Sequence, residues 1–331
     1  MTGGYRSWGK TLGLLVWLFG SACASAGSSE PAFSLLSGDV PGGILLSAWS
    51  DGEDLLAVGG QMGSGPGSIV HYDGSNLCYE HPAPEEHVLW WVHGNAPGHW
   101  YAVGENGTVL HSEEGVRSRE DLPTTATLYG VWTGEEQVIA VGGNFEGSSP
   151  RGEVWLKRDG TWSPLSIDLP GVVFKVWENW LVGDGVAWRL DGDQLVEEDT
   201  ESQRMVTIRG RGNDDVWAVG GWSEAIVMHR DASGWSTFDN TGLPLALNGL
   251  WTEPGETLWV AGMGGTMGYL GEDGAWVTPD LPPSSRDFHA VWKHKDEVLL
   301  VGGDMFAPEV NVGSIVRHGT DSSSLVAGVC P

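Results

Sequence analysis

The chain has 331 residues, with 17 Lys and Arg against 44 Asp and Glu, and a net charge of −27 at pH 7. This excludes nucleic acid as a partner, because a phosphate backbone is gripped by clustered cations; an anionic membrane surface would repel the chain for the same reason. Apolar residues make up 40%, too many for a disordered chain, and 51 Gly with 19 Trp but no Gly-X-Y period predict many short strands joined by tight turns.

Arg6 and Lys10 precede an apolar run from Leu12 to Phe19, and small residues follow from Gly20 to Ala26. A charged segment, a short apolar segment and a small-residue cut site mark an export signal, and the run is too short to span a bilayer. Two cuts compete. Ser21 and Ala22 before Cys23 resemble a bacterial lipoprotein signal with Cys23 as the lipidated first residue, although Gly20 stands where such signals carry Leu. Ordinary cleavage after Ala24 or Ala26 is the alternative. The expected division is a signal peptide over 1–22, a flexible tether over 23–32 and one domain over 33–331. The address is then the outer membrane or periplasm as a lipoprotein, or the exterior as a secreted protein. Export leaves Cys78 and Cys330 in an oxidising compartment, where a disulfide between them is expected; two free thiols are the alternative.

An apolar pair followed by glycine recurs seven times, at Gly59, Gly104, Gly142, Gly183, Gly220, Gly262 and Gly302, roughly forty residues apart, as in propellers and solenoids. An apolar-Trp pair opens most units: Ala48-Trp49, Val131-Trp132, Val176-Trp177, Leu250-Trp251 and Val291-Trp292. A third strand follows the glycine, and then an acidic-Gly turn at Asp73-Gly74, Glu114-Gly115, Asp159-Gly160, Asp191-Gly192 or Asp273-Gly274. Such turns join hairpin strands when both central residues take positive φ. A last strand often opens with Trp162, Trp235 or Trp276. Four short strands in each of seven units predict an all-β, seven-bladed β-propeller of antiparallel blades. The seventh unit lacks a fourth strand, and Phe33–Ser37 supplies a spare one, so the N-terminal strand is expected to close the ring and remove both open edges. Cys78–Cys330 would fasten the same seam.

The paired glycines at Gly59-Gly60, Gly142-Gly143, Gly220-Gly221 and Gly302-Gly303 resemble kelch repeats. The turns Asp159-Gly160-Thr161-Trp162 and Asp273-Gly274-Ala275-Trp276 resemble the Asp-box repeats of bacterial neuraminidase-type propellers. The combined unit is similar to the Trp-rich repeats of secreted bacterial propeller lipoproteins over about residues 33–320. The kelch resemblance implies protein binding or copper oxidase chemistry, and the Asp-box resemblance implies sialidase activity or glycan binding. A sialidase-type site implies three arginines, a Tyr backed by Glu, and an Asp; no Phe-Arg-Ile-Pro segment is present, and none of the six Tyr matches that nucleophile. For the oxidase, Cys78-Tyr79 is the one Cys-Tyr neighbour, and Cys78 is already assigned to the disulfide.

His71, His111 and His229 share one register, so the ring keeps them apart, while His93 and His99 flank one turn. Neither group makes a recognisable metal site, and no cofactor is expected. Tryptophans in register are expected to fill the space between blades. Two departures from the repeat carry the candidate ligand-binding residues. In the fifth unit Arg209 and Arg211 replace the apolar-Trp pattern, at or near the central channel. The long loops of units one, three and seven carry Met62, Phe145, Met305 and Phe306, with Arg151 and Glu309 nearby, and Trp222 sits in the short loop of unit five. Apolar residues rimmed by polar ones on loops suggest a contact surface. The expected function is a non-catalytic, lipid-anchored module, monomeric, that binds a protein or glycan of the bacterial cell envelope and touches the membrane only through Cys23. The alternative is a carbohydrate-active enzyme, a glycosidase or lyase, on the same scaffold.

Overall fold

In this computed structural model, which describes residues 1–4 and 30–331 except 64, 82, 84, 146–149 and 308–310, each forty-residue unit becomes one sheet, seven in all. The export-signal region, Cys23 included, and Glu309 lie outside the described residues. The first strand of every unit is innermost: Ile44–Ser50, Leu89–Ala96, Thr127–Thr133, Val173–Trp177, Met205–Gly212, Leu247–Trp251 and Phe288–His294. Each touches the next, and the seventh touches the first. The fold is therefore a closed seven-bladed β-propeller.

Blades pack face to face, so their inner strands are covered on both sides and read as nearly continuous apolar runs; Leu55–Gly60 is buried throughout. Outer strands meet solvent, and Val116–Arg119 is exposed throughout. Tryptophans in register fill the gaps between blades. The Trp49 ring lies over Gly94 of the next blade and the Trp177 ring over Gly210, in each case 2.6 Å from where a Cβ would stand.

The ring closes as the spare strand predicts. Ala32–Val40 pairs antiparallel with Gly313–Gly319, setting Phe33 opposite His318 and Leu35 opposite Val316. The tail then crosses to blade one, where Gly328–Val329 adds a parallel fifth strand beside Leu77–Tyr79 and Cys78 is bonded to Cys330. The acidic-Gly turns follow expectation only in part. Both central residues have positive φ at Glu114-Gly115 and Asp159-Gly160, but at Asp73-Gly74, Asp191-Gly192 and Asp273-Gly274 only the glycine does. At the first of these the Asp73 carboxylate instead accepts the backbone N–H groups of Ser75 and Asn76 at 2.8 and 2.7 Å, a turn held by its own side chain.

The seven repeated glycines have one physical cause. A Cβ on any of them would lie 1.8 to 2.2 Å from a carbonyl oxygen at or just before the start of the innermost strand of the same blade. Beside each contact that strand carries one extra residue, a β-bulge, in all seven blades. A bulge bends its strand and re-aims a side chain. Because the obstructing atom is backbone, it has little room to yield. Gly142→Ala should therefore lose about 2–3 kcal/mol of stability in urea unfolding; an unchanged midpoint would contradict the close approach.

Candidate functional site

The seven bulged residues are Leu46, Trp90, Tyr129, Phe174, Val206, Asn248 and His289, one per blade. All seven line a single pocket of about 280 Å3 on the axis. It opens on the face where the loops between second and third strands emerge. Those loops add Phe145, Trp222, Met305 and Phe306 to its wall. Phe145, Trp222 and Phe306 are 47%, 72% and 82% exposed, so they form the rim and the bulged residues form the throat. Rim and throat are continuous: the Phe145 ring lies 6.3 Å from Tyr129 and 6.0 Å from Phe174. Met62 and Met305 pack with Trp90 against Ile44, Leu46 and Val88.

Among the described residues, two cationic side chains line this apolar funnel, Lys175 in the throat and Arg204 at the rim. Lys175, next to the bulged Phe174, is buried. Its Nζ donates to the Tyr129 carbonyl at 2.6 Å and lies 4.2 Å from the centre of the Trp91 ring. Burial pushes its pKa down to about 7. Arg204 stands at the rim, its guanidinium between the Trp222 ring at 3.9 Å and the Phe174 ring at 4.9 Å, with Asp184 3.3 Å from Nε. His289 donates from Nε2 to the Gly303 carbonyl at 2.9 Å; burial lowers its pKa, with the Gly303 carbonyl acting the other way. Asp287 is the one carboxylate among the described lining residues, and it accepts the Gly264 N–H at 2.8 Å. Glycoside hydrolysis ordinarily uses a carboxyl pair.

The structure thus gathers Phe145, Trp222, Met305 and Phe306 around one opening, with Met62 packed behind the wall beside Met305 and Trp90. Arg151, expected beside these loops, and Arg209 and Arg211, expected at or near the central channel, lie outside the funnel lining. Arg151 is exposed and ion-paired with Asp168, outside the funnel lining. Arg209 and Arg211 reach the opposite face, where a second depression is lined by Trp49, His93, Trp132, Arg209, Glu253 and Trp292. Neither is a free cation. Arg209 pairs with Glu253 at 3.0 Å and lies over the Trp292 ring at 4.2 Å; burial brings its pKa down to about 10 against the pull of Glu253. Arg211 pairs with Asp215 at 2.7 Å. His93 and His99 do not meet: His93 is stacked on Trp132, and His99 bonds Asn95. The histidines in common register each hold a carboxylate: His71 with Asp54 and Glu80, His111 with Glu120, His229 with Asp215. Burial opposes a charge on His71, but the bonds to Asp54 and Glu80 outweigh it and raise its pKa to about 9.

The funnel throat and Lys175 were missed from sequence. A clue to Lys175 was present. In Val173–Trp177 it occupies the position that the other blades give to Ser47, Trp91, Gly130, Thr207, Gly249 and Ala290. A lysine amid two-sided burial is a departure as marked as Arg209.

No protein-family model matches the chain, and no curated protein is significantly similar to it in sequence. Solved structures are similar in fold. The WD40 β-propeller domain of Doa1 superposes with a TM-score of 0.62 at 11% identity, over 86% of this chain and 97% of that one. YCF48 from Cyanidioschyzon merolae gives 0.59 at 14%, over 87% and 99%. YCF48 bound to D1 peptide gives 0.60 at 13%, over 89% and 100%. At these identities the likeness shows the propeller fold alone.

Lys175 has a signed effect on stability. Between pH 7 and its ordinary value of 10.5 the unfolded chain holds a proton that the folded chain has lost, so stability contributed at this residue rises with pH across that window. Lys175→Met should be more stable than wild type by on the order of 2 kcal/mol at pH 6, and the gap should shrink towards pH 10. Urea unfolding at both pH values checks this; a gap that is constant or widens contradicts the assignment.

Proposed function

We propose that this protein is an exported, non-catalytic binding propeller, held in the bacterial envelope through a lipid on Cys23. Its axial funnel would take an apolar segment of a partner protein. The observation that carries this reading is the seven-fold convergence of bulged side chains, four of them Trp90, Tyr129, Phe174 and Leu46, under a rim of exposed Phe145, Trp222 and Phe306. Concave, apolar sites with a few polar groups are the usual form of a ligand pocket, and exposed aromatics rimming one supply contact area at low entropy cost. A cavity of about 280 Å3 matches a side chain or chain end better than an oligosaccharide. Among the described residues only one carboxylate lines the funnel, which disfavours glycosidase chemistry there. The Cys78–Cys330 bond suits an oxidising compartment. A propeller of the same fold, YCF48, has been solved bound to a peptide, which makes peptide recognition a reasonable use of the scaffold here.

Selection of a displayed random-peptide library on the mature protein tests the reading. Apolar peptides should be enriched, and the Phe145→Ala, Phe306→Ala double variant should bind them at least about tenfold more weakly, a loss of about 1.4 kcal/mol. Peptides bound equally by both proteins, or binding confined to glycans on an array, would overturn it.

A further inference from the structure

We infer that the funnel recognises a carboxylate carried on an apolar body, with a carboxylate oxygen seated on Lys175 Nζ. This rests on the funnel being a binding site and names the chemistry of what it binds. An ammonium has three donors and no acceptor. Lys175 uses one, on the Tyr129 carbonyl at 2.6 Å, and its remaining protein contact is the Trp91 face at 4.2 Å. Two N–H groups are left without a protein acceptor among the described residues, on a side chain that lines the pocket and is only 7% exposed. A buried donor left unmade is costly, and a buried unpaired charge more so.

The neighbouring charges do not supply the missing partner. Asp287 accepts from the Gly264 N–H, and Lys175 makes no ion pair with it or with any other carboxylate among the described residues. Arg204, at the rim, already has Asp184. Among the described residues, the throat therefore carries one positive group without a counter-charge, in a pocket also lined by Trp90, Tyr129 and Phe174. A single compact cation with dry aromatic walls suits a monoanion on an apolar body. A dianion such as phosphate would bring one charge more than the site can neutralise. Carboxylate binding would supply the absent acceptor and hold the proton on Lys175, so affinity should weaken as pH rises past neutrality.

Such a carboxylate has two sources, a small organic acid and the C-terminus of a polypeptide, and matched probes separate them. One pair is 1-naphthaleneacetate and 1-naphthaleneacetamide. The other is a short apolar peptide ending in Phe-Leu, as the free acid and as the C-terminal amide. Titration calorimetry of the mature protein and of Lys175→Met, at pH 6 and pH 9, reads all four. The expected result is that at least one acid binds wild type about tenfold or more tightly than its amide at pH 6, with the preference much reduced at pH 9 and lost in Lys175→Met. Preference confined to the naphthalene pair identifies a free acid, and preference in the peptide pair identifies a chain terminus. Equal binding of acid and amide, a preference that survives Lys175→Met, or no binding of any probe overturns the inference. Equal binding that Phe306→Ala abolishes would remove the carboxylate while leaving the funnel as an apolar-segment site.

Discussion

The close approach of a glycine to a carbonyl at the head of the innermost strand, seven times over, is the constraint on which the rest of this molecule depends. It admits an extra residue into each inner strand, and that residue can no longer pair across the sheet. Its side chain is turned out of the blade and onto the axis. One backbone device therefore does two jobs. It sets where each blade begins, and it supplies one side chain per blade to a common funnel. The scaffold and the site cannot be separated, because the glycines that repeat for packing are the ones that make the bulges possible. What varies between blades is the identity of the bulged residue. Leu46, Trp90, Tyr129, Phe174 and Val206 make an apolar arc, while Asn248 and His289 make a polar one.

The two ends of the axis solve the same electrostatic problem in opposite ways. At the far end Arg209 is buried but answered by Glu253, by the Thr252 carbonyl and by the Trp292 face. That set neutralises its charge and satisfies its geometry, as a structural cation requires. At the funnel end Lys175 has a carbonyl and a ring face but no counter-charge among the described residues. A charge kept buried without a counter-ion lowers stability, and groups so perturbed gather at functional sites. This asymmetry is what distinguishes the funnel from the second depression, whose buried cation is paired with Glu253.

Much of the architecture was legible in the sequence because it is written in periods. The glycine spacing counts the blades, the spare strand at Phe33–Ser37 pairs where the seventh unit is short, and Cys78 and Cys330 are bonded across the seam. The loop residues Phe145, Trp222, Met305 and Phe306 stood out as apolar groups where turns should be polar, and they converge on one opening. The throat was not legible, because a bulge shifts the alternation by one residue. Counted at a strict period of two, Trp90 and Phe174 read as two more core residues of buried strands. The ion pair of Arg209 was not legible either, because its partner Glu253 lies in the next blade, far along the chain. The fifth strand at Gly328–Val329 is too short for any pattern to declare. The side-chain-held turn at Asp73 shows that an Asp-Gly pair specifies a reversal without fixing how it is made.

The central claim is that the funnel holds a buried ammonium with no counter-ion among the described residues, and the direct test is to titrate that ammonium. The chain has few lysines, Lys10, Lys157, Lys175, Lys293 and Lys295, so the Cε signals of a lysine-labelled sample can be followed by NMR from pH 5 to 11, with Lys175→Met giving the assignment. A Lys175 midpoint near 7, moving upward when a carboxylate occupies the funnel, is the result this account predicts. A midpoint near 10.5, the ordinary lysine value, would mean that the side chain is hydrated or paired, and would contradict it.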